Sequence, residues 1–302
     1  MADERLDTGT VRPVGALQPR PEWWRILLRN PRSIAALGVL VVMFMLALTA
    51  DTASPYGYKE QHRGNEHAAP GAQFRLGTDD LGRDVLSRVM YGARVSLVVG
   101  LCATLVALTV GVIVGLLSGY FGGWPDHVLM RFTDTVAAFP SLLLAVAITA
   151  VYDRPNQETW EKMVILVIAL GVVGWTSMAR VIRAQVLSLR EQDFVAAAQA
   201  LGSGHRRIMF RHILLNCISP IVVLATLSVG GNILGEAGLS FLGLGVQAPF
   251  PSWGGMLTDA LSHMRKAWWM VVFPGGCIVM TVLSFNLLGD GLRDALDPRT
   301  AK

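Results

Sequence analysis

Six stretches of this chain are nearly free of charge and close to the length that crosses a bilayer, about 20 helical residues for ~30 Å of hydrocarbon. They are residues 33–50, 95–117, 136–151, 163–179, 217–237 and 270–289. Among Asp, Glu, Lys and Arg they contain only Glu236. Because hydrocarbon admits helices whose backbone groups are satisfied internally, the pattern predicts an all-α, polytopic membrane protein with six transmembrane helices.

Composition agrees with a membrane protein and excludes several other classes. Charged residues make up 16% of the 302 residues, against about 25% in soluble domains. A net charge of +4 is too diffuse to indicate a nucleic-acid surface. The three cysteines and six histidines lack metal-ligand or disulfide spacing, and no GxxxxGK[ST], HExxH or GxSxG motif occurs. We therefore expect no cofactor, no metal and no catalytic residue in this chain.

The distribution of basic residues predicts how the chain is oriented in the membrane. Most of the 26 Lys and Arg residues fall on one side if both termini are cytoplasmic. A cleaved signal peptide is disfavoured because 32 residues precede the first apolar run and no small-residue cleavage site follows it. The predicted organisation is a cytoplasmic tail (1–32), a first transmembrane helix (33–50), an extracytoplasmic loop (51–94), a five-helix core (95–290) and a cytoplasmic tail (291–302).

The connection 180–216 has a helical rather than a loop-like pattern. Apolar residues recur at i, i+3, i+4 and i+7, at Phe194, Ala197, Ala198 and Leu201. Asp193 is predicted as the N-cap, and Gly202 begins a glycine-rich break before a second short helix, 205–215. That second helix carries Arg206, Arg207 and Arg211. Two readings stay open: a compact projection that docks in a groove of another protein, or a helix pair lying on the membrane with its arginines at lipid phosphates.

The loop before the second apolar stretch is predicted to contain an interfacial helix over 78–93. Thr78 would be its N-cap, Asp79 and Asp80 would lie in its first turn, and Asp84 would pair with Arg88 at i,i+4.

Polar residues inside the apolar stretches are candidates for a translocation pathway, since they are costly in hydrocarbon. They are Asn232, Glu236 and Asn286. Helix packing is an equally good explanation for each, and Glu236 lies near an outer helix end from which it could reach the interface. Pro140 is predicted to kink the third span, either as a gate or as a static bend. Gly111 and Gly115 predict a close helix–helix contact.

Several motifs resemble one family. The run 196–198 (three alanines), Gly202 and 212–214 resemble the EAA motif of permease subunits of ATP-binding-cassette importers, with Ala196 where the motif has Glu and Leu215 where it has Pro. Four further stretches resemble the second permease of the dipeptide, oligopeptide and nickel branch: 77–84 continuing to 94–97, 119–123, 239–245 with 251–254, and 285–294.

The resemblance implies a type I importer permease fold in a bacterial inner membrane, with 180–216 as the segment that couples to the ATPase. It also implies the partners: a homologous second permease, two ATPase subunits that bind ATP and Mg²⁺, and an extracytoplasmic substrate-binding protein. Dipeptides, longer peptides, glutathione and nickel chelates are open as substrates. The alternatives from other classes are a self-contained channel or secondary transporter, which would more often show internal repeats, and a membrane-bound enzyme.

Overall fold

The computed structural model describes residues 23–154 and 157–296, and over these ranges every regular element is helical. A single isolated bridge, Thr78 to Asp84, is the nearest approach to a strand in this part of the chain. The α-helices in chain order are α1 (Trp23–Arg29), α2 (Pro31–Leu48), α3 (Ala50–Ala53), α4 (Val85–Phe121), α5 (Gly123–Ala137), α6 (Ser141–Tyr152), α7 (Thr159–Arg190), α8 (Asp193–Ala200), α9 (His205–Arg207), α10 (Leu214–Asn216), α11 (Ile218–Phe241), α12 (Trp253–Ala260) and α13 (Trp269–Leu296).

Five single helices are long and apolar enough to cross a membrane: α2, α4, α7, α11 and α13. The pair α5 and α6 is bent by 82° at a short break. Counting this bent pair as one span gives six, the number predicted from the sequence. The all-α membrane fold is thereby confirmed for the described residues.

Several helices extend beyond the predicted apolar stretches. α7 continues to Arg190, so residues 180–190 belong to this helix rather than to a separate connection. α13 continues to Leu296, six residues into the segment predicted as a tail. Near the N-terminus, α1 and the first two residues of α2 lie within the segment 1–32 that was predicted as a tail. Asn30 is the N-cap of α2, and its side chain accepts a hydrogen bond from Arg32 N at 3.0 Å. Residues 1–22 and 297–302 of the two predicted tails lie outside the described residues.

Helices α4 and α7 pack closely along a row of glycines. Gly111, Gly115 and Gly119 lie one turn apart on α4, against the α7 backbone between Trp175 and Val186. A Cβ at Gly115 would lie 2.6 Å from the carbonyl oxygen of Ala179. The prediction that Gly111 and Gly115 permit close helix packing is confirmed.

The predicted helix over 78–93 is wrong in its first half. Residues 78–84 form a tight turn, and α4 begins only at Val85, where Asp84 is the N-cap and accepts from Ser87 N at 2.8 Å. Arg88 does not pair with Asp84; its guanidinium contacts Asp79 at 3.4 Å and Asp259 at 3.2 Å. Ion pairs to Asp79 in the turn and to Asp259 of α12 thus replace the local pair that the spacing indicated.

Candidate coupling site and pathway residues

Residues 191–216, which we call the coupling segment after the role that the sequence predicts for it, follow α7 and pack against the ends of α4 and α7. Leu116, Ile182 and Val186 on those helices pack against the inner side of the segment. The residues that form this inner side are Val195, Ala198, Ile208, Met209 and Ile213. This shared core ties the segment to two spans, so that a displacement of one strains the packing of the other.

The joint inside the coupling segment is a Schellman motif. Gly202 N donates to Gln199 O at 2.9 Å, and Ser203 N donates to Ala198 O at 3.0 Å. Gly202 has φ +77°, a backbone conformation that residues with a Cβ adopt at a cost. The glycine break predicted at 202–204 therefore fixes the angle between α8 and the helix that follows.

The apolar stripe predicted on α8 divides between two faces. Ala198 points into the shared core, whereas Phe194, Ala197 and Leu201 are exposed, Leu201 by 86%. Asp193 is the first helical residue, and the preceding Gln192 occupies the N-cap position without a side-chain hydrogen bond. The exposed part of the stripe is an apolar face on the outer side of the coupling segment, and it is not covered by any residue that the structure describes.

The segment also carries three exposed basic residues. Arg206, Arg207 and Arg211 are all exposed and make no ion pair with any residue in the described ranges. His205 instead faces the bundle, where its Nδ1 hydrogen-bonds the Tyr120 hydroxyl of α4 at 2.8 Å. The outer surface of the segment therefore combines exposed apolar side chains with positive charge.

Pro140 lies at the break between α5 and α6, where it is the exposed residue preceding α6. The sequence predicted a kink here, and the structure has a complete interruption bent by 82°. A gating role for this break stays a prediction, with a static bend as the alternative.

Asn232 and Asn286 occupy different surroundings. The Asn232 amide donates to the Thr104 hydroxyl at 2.9 Å and borders a cavity of about 190 Å³ between α6, α7 and α11. Asn286 is exposed on α13. Their assignment to a pathway stays a prediction, with Asn232 next to an internal cavity and Asn286 on the outer surface.

Glu236 does not reach an interface, because it is completely buried. Its carboxyl oxygens accept hydrogen bonds from Ser96 of α4 at 2.9 Å and Ser240 of α11 at 2.7 Å. Ser252, the N-cap of α12, donates to Ser240 at 3.3 Å. The cluster therefore fastens α12 to two spans.

Replacing Glu236 with leucine is expected to lower stability, because two buried hydroxyls lose their acceptor. An unsatisfied buried polar group costs about 1–3 kcal/mol, so the unfolding midpoint in detergent should fall clearly. Glu236→Gln is the matched control, since an amide of the same size can still bond both hydroxyls. Equal midpoints for the two variants would contradict this role.

Sequence reasoning missed the features at the end of the bundle opposite the coupling segment. Arg83 Nε contacts Asp79 at 2.6 Å, and partial burial raises the pKa of the neighbouring Asp259 carboxyl against the opposing pull of Arg88 and Arg83. A cavity of about 1210 Å³ is bordered by residues of several connections, among them Lys59, Arg94 and Trp160. The connections that carry these residues are far apart in the sequence, and only the tertiary structure brings them together. No spacing in the sequence indicates that they meet.

No group of three or more His, Cys, Asp or Glu side chains within 23–154 and 157–296 is arranged to hold a metal ion. What the described residues do contain is a bundle of membrane helices with one interrupted span and a projecting segment whose outer surface is apolar and basic. These features define a polytopic integral membrane protein.

Comparison with known proteins identifies the family. The profile described as "Binding-protein-dependent transport system inner membrane component" matches residues 111–302, and that of the "N-terminal TM domain of oligopeptide transport permease C" matches residues 19–70. This chain belongs to the family of binding-protein-dependent transport system inner membrane components, the permease subunits of ATP-binding-cassette importers. It is therefore a multi-pass protein of the bacterial inner membrane with the type I importer permease fold.

Individual relatives cover almost the whole chain. The dipeptide transport system permease protein DppC of Alkalihalophilus pseudofirmus is 43% identical over 94% of this chain and 91% of its own length. DppC of Escherichia coli K12 is also 43% identical, over 94% of both chains. The glutathione transport system permease protein GsiD of Pectobacterium atrosepticum is 39% identical over 96% of this chain and 94% of its own.

Proposed function

We propose that this chain forms half of the pore of an ATP-driven peptide importer and transmits the work of partner ATPases to that pore. The observation that carries the proposal is the outer surface of the coupling segment. Phe194, Ala197 and Leu201 expose apolar surface on the coupling segment of a chain that belongs to this family. The same segment carries Arg206, Arg207 and Arg211, which are exposed and form no ion pair with a residue that the structure describes. An apolar patch bordered by charge is typical of a protein–protein interface.

The proposed orientation places both termini and the coupling segment in the cytoplasm. The basic residues of 180–216 and of the N-terminal segment support this orientation through the positive-inside rule. The connections 51–84, 153–158 and 242–268 are then extracytoplasmic, where a substrate-binding protein would dock.

The chain is proposed to be the non-catalytic subunit of its complex. ATP and Mg²⁺ are assigned to two partner ATPases, because this sequence has no phosphate-binding loop. A homologous second permease would supply the other half of the pore.

The proposed mechanism is a switch of the pore between outward and inward access. ATP can drive such a switch only if the complex binds it with different affinity in the two states. The coupling segment then has to move between those states, carrying α4 and α7 with it through the core shared with Leu116, Ile182 and Val186.

The proposed substrate class is small peptides. Relatives named for dipeptide, oligopeptide and glutathione transport all match this chain at about 40% identity over nine-tenths of its length. Glutathione is itself a tripeptide, so one pathway for short peptides would accommodate all the substrates for which these relatives are named. Nickel chelates are the alternative within the same family.

The direct test is uptake by proteoliposomes that contain this chain, its partner permease and ATPases, with the substrate-binding protein outside. We expect ATP-dependent accumulation of a labelled dipeptide, with glutathione and a nickel–histidine chelate as comparison substrates. Accumulation of the nickel chelate alone would overturn the peptide assignment. Uptake by this chain without any ATPase would instead establish a self-contained transporter.

A further inference from the structure

The last turn of α4, residues 118–121, is contacted by three other parts of the chain. The Ser118 hydroxyl donates to Asp126 of α5. Arg190, the last residue of α7, donates to the carbonyl oxygen of Tyr120 at 3.1 Å, and the Tyr120 hydroxyl bonds His205 of the coupling segment. This turn is therefore where the coupling segment, α7 and the first arm of the interrupted span meet.

The strongest contact at this junction is an ion pair between α5 and α7. Arg183 donates from Nε to Asp126 Oδ1 and from Nη2 to Asp126 Oδ2, each at 2.6 Å. Two parallel charge-assisted bonds fix direction as well as distance. Side-chain exposures of 13% for Asp126 and 33% for Arg183 leave the pair partly buried.

This pair connects the helix that precedes the coupling segment to the first helix of the interrupted span. α7 carries Arg183 two turns before Arg190, and the coupling segment follows directly. α5 carries Asp126 in its first turn and leads to the break at 138–140. A displacement of the coupling segment therefore has a route to α5 through α7 and this bidentate pair, beside the contacts of Asp134 with Arg180 and of Asp126 with Ser118.

We propose that the Asp126–Arg183 pair is a positioning contact that makes α5 follow the coupling segment during transport. The proposal rests on the proposed function, because it needs an ATP-driven movement of that segment. The competing role is a static brace that stabilises the bundle and transmits nothing. The two roles differ in what they do to the amount of substrate moved per ATP hydrolysed.

The chain offers a matched control on the same two helices. Asp134 of α5 accepts from Arg180 of α7 at 2.9 Å, but exposures of 59% and 49% leave this pair open to solvent. Exposed pairs contribute little. Asp134→Asn therefore makes the same chemical change as Asp126→Asn at a contact expected to carry almost no coupling.

The experiment measures uptake and ATP hydrolysis together in proteoliposomes that hold the complete importer. We expect Asp126→Asn and Arg183→Gln each to lower uptake per ATP by about fivefold, within the range known for coupling residues, and the double variant to fall no further. Asp134→Asn should change the ratio by less than about twofold.

Three outcomes would overturn the inference. One is an unchanged ratio in Asp126→Asn, another is an effect equal to that of Asp134→Asn, and the third is a proportional loss of uptake and hydrolysis with a lower unfolding midpoint, as a static brace predicts. Failure of the wild-type importer to show ATP-dependent uptake would refute the proposed function instead, so the two failures are distinguishable.

Discussion

Gly202→Val is expected to abolish most uptake while membrane insertion is unchanged. At φ +77° a β-branched residue is strained, and an L-residue in this region costs roughly 1–2 kcal/mol. The chain relieves this strain by changing the Schellman joint, which reorients Leu201 relative to Arg206. Because ~1.4 kcal/mol is tenfold in an equilibrium, we expect uptake and retention of the ATPase subunits to fall by about tenfold or more.

Gly204→Val is the control for this variant. Gly204 lies two residues away with φ −68° and ψ 156°, an extended conformation that valine adopts readily, and no atom lies within 4 Å of the position of its Cβ. Uptake and co-purification of ATPase should therefore stay near wild type. Normal uptake in Gly202→Val would remove the geometric basis of the coupling role.

Gly115→Val is expected to prevent normal assembly of the bundle itself. The new Cβ would lie 2.6 Å from Ala179 O and 2.8 Å from Ile182 Cβ. Neither atom can rotate away, because one is backbone and the other is fixed to it. α4 and α7 have to separate along the whole glycine stripe, and overpacking of this kind costs typically about 1–3 kcal/mol or more.

The yield of monodisperse protein in detergent and its unfolding midpoint measure this effect. Gly38→Val is the matched control, since Gly38 lies in the transmembrane helix α2 with no atom within 4 Å of the position of its Cβ. We expect a large loss for Gly115→Val and nearly none for Gly38→Val. Equal midpoints would show that the α4–α7 contact is looser than the structure has it.

The spans, the glycine contact and the presence of a bend at Pro140 were predictable from sequence for a simple physical reason. Hydrocarbon excludes charge and demands internal backbone hydrogen bonds. The positions of charged, glycine and proline residues therefore indicate where spans end, where helices pack closely and where a span bends. The break at Gly202 follows similarly from the left-handed conformation that ends α8.

The errors arose where distant residues decide the local structure. The 78–84 region has good helix signals, but Asp79 pairs with Arg88 across the turn, and Arg88 is also held by Asp259 of α12. The sequence left open whether Glu236 reaches an interface or bonds to a neighbouring helix, and its hydrogen bonds to the hydroxyls of Ser96 and Ser240 decide for the second. An apolar stripe also does not reveal whether it faces a core or a partner, so the outward position of Leu201 required the structure.

The most direct test of the account is a photo-crosslinking residue, benzoylphenylalanine, in place of Leu201 in the membrane-embedded complex. We expect a covalent adduct with an ATPase subunit. The same residue in place of Leu105, which is exposed on the membrane-spanning α4, should give none. An adduct at position 201 with lipid alone would contradict docking of the coupling segment on an ATPase and would favour a helix pair lying on the membrane.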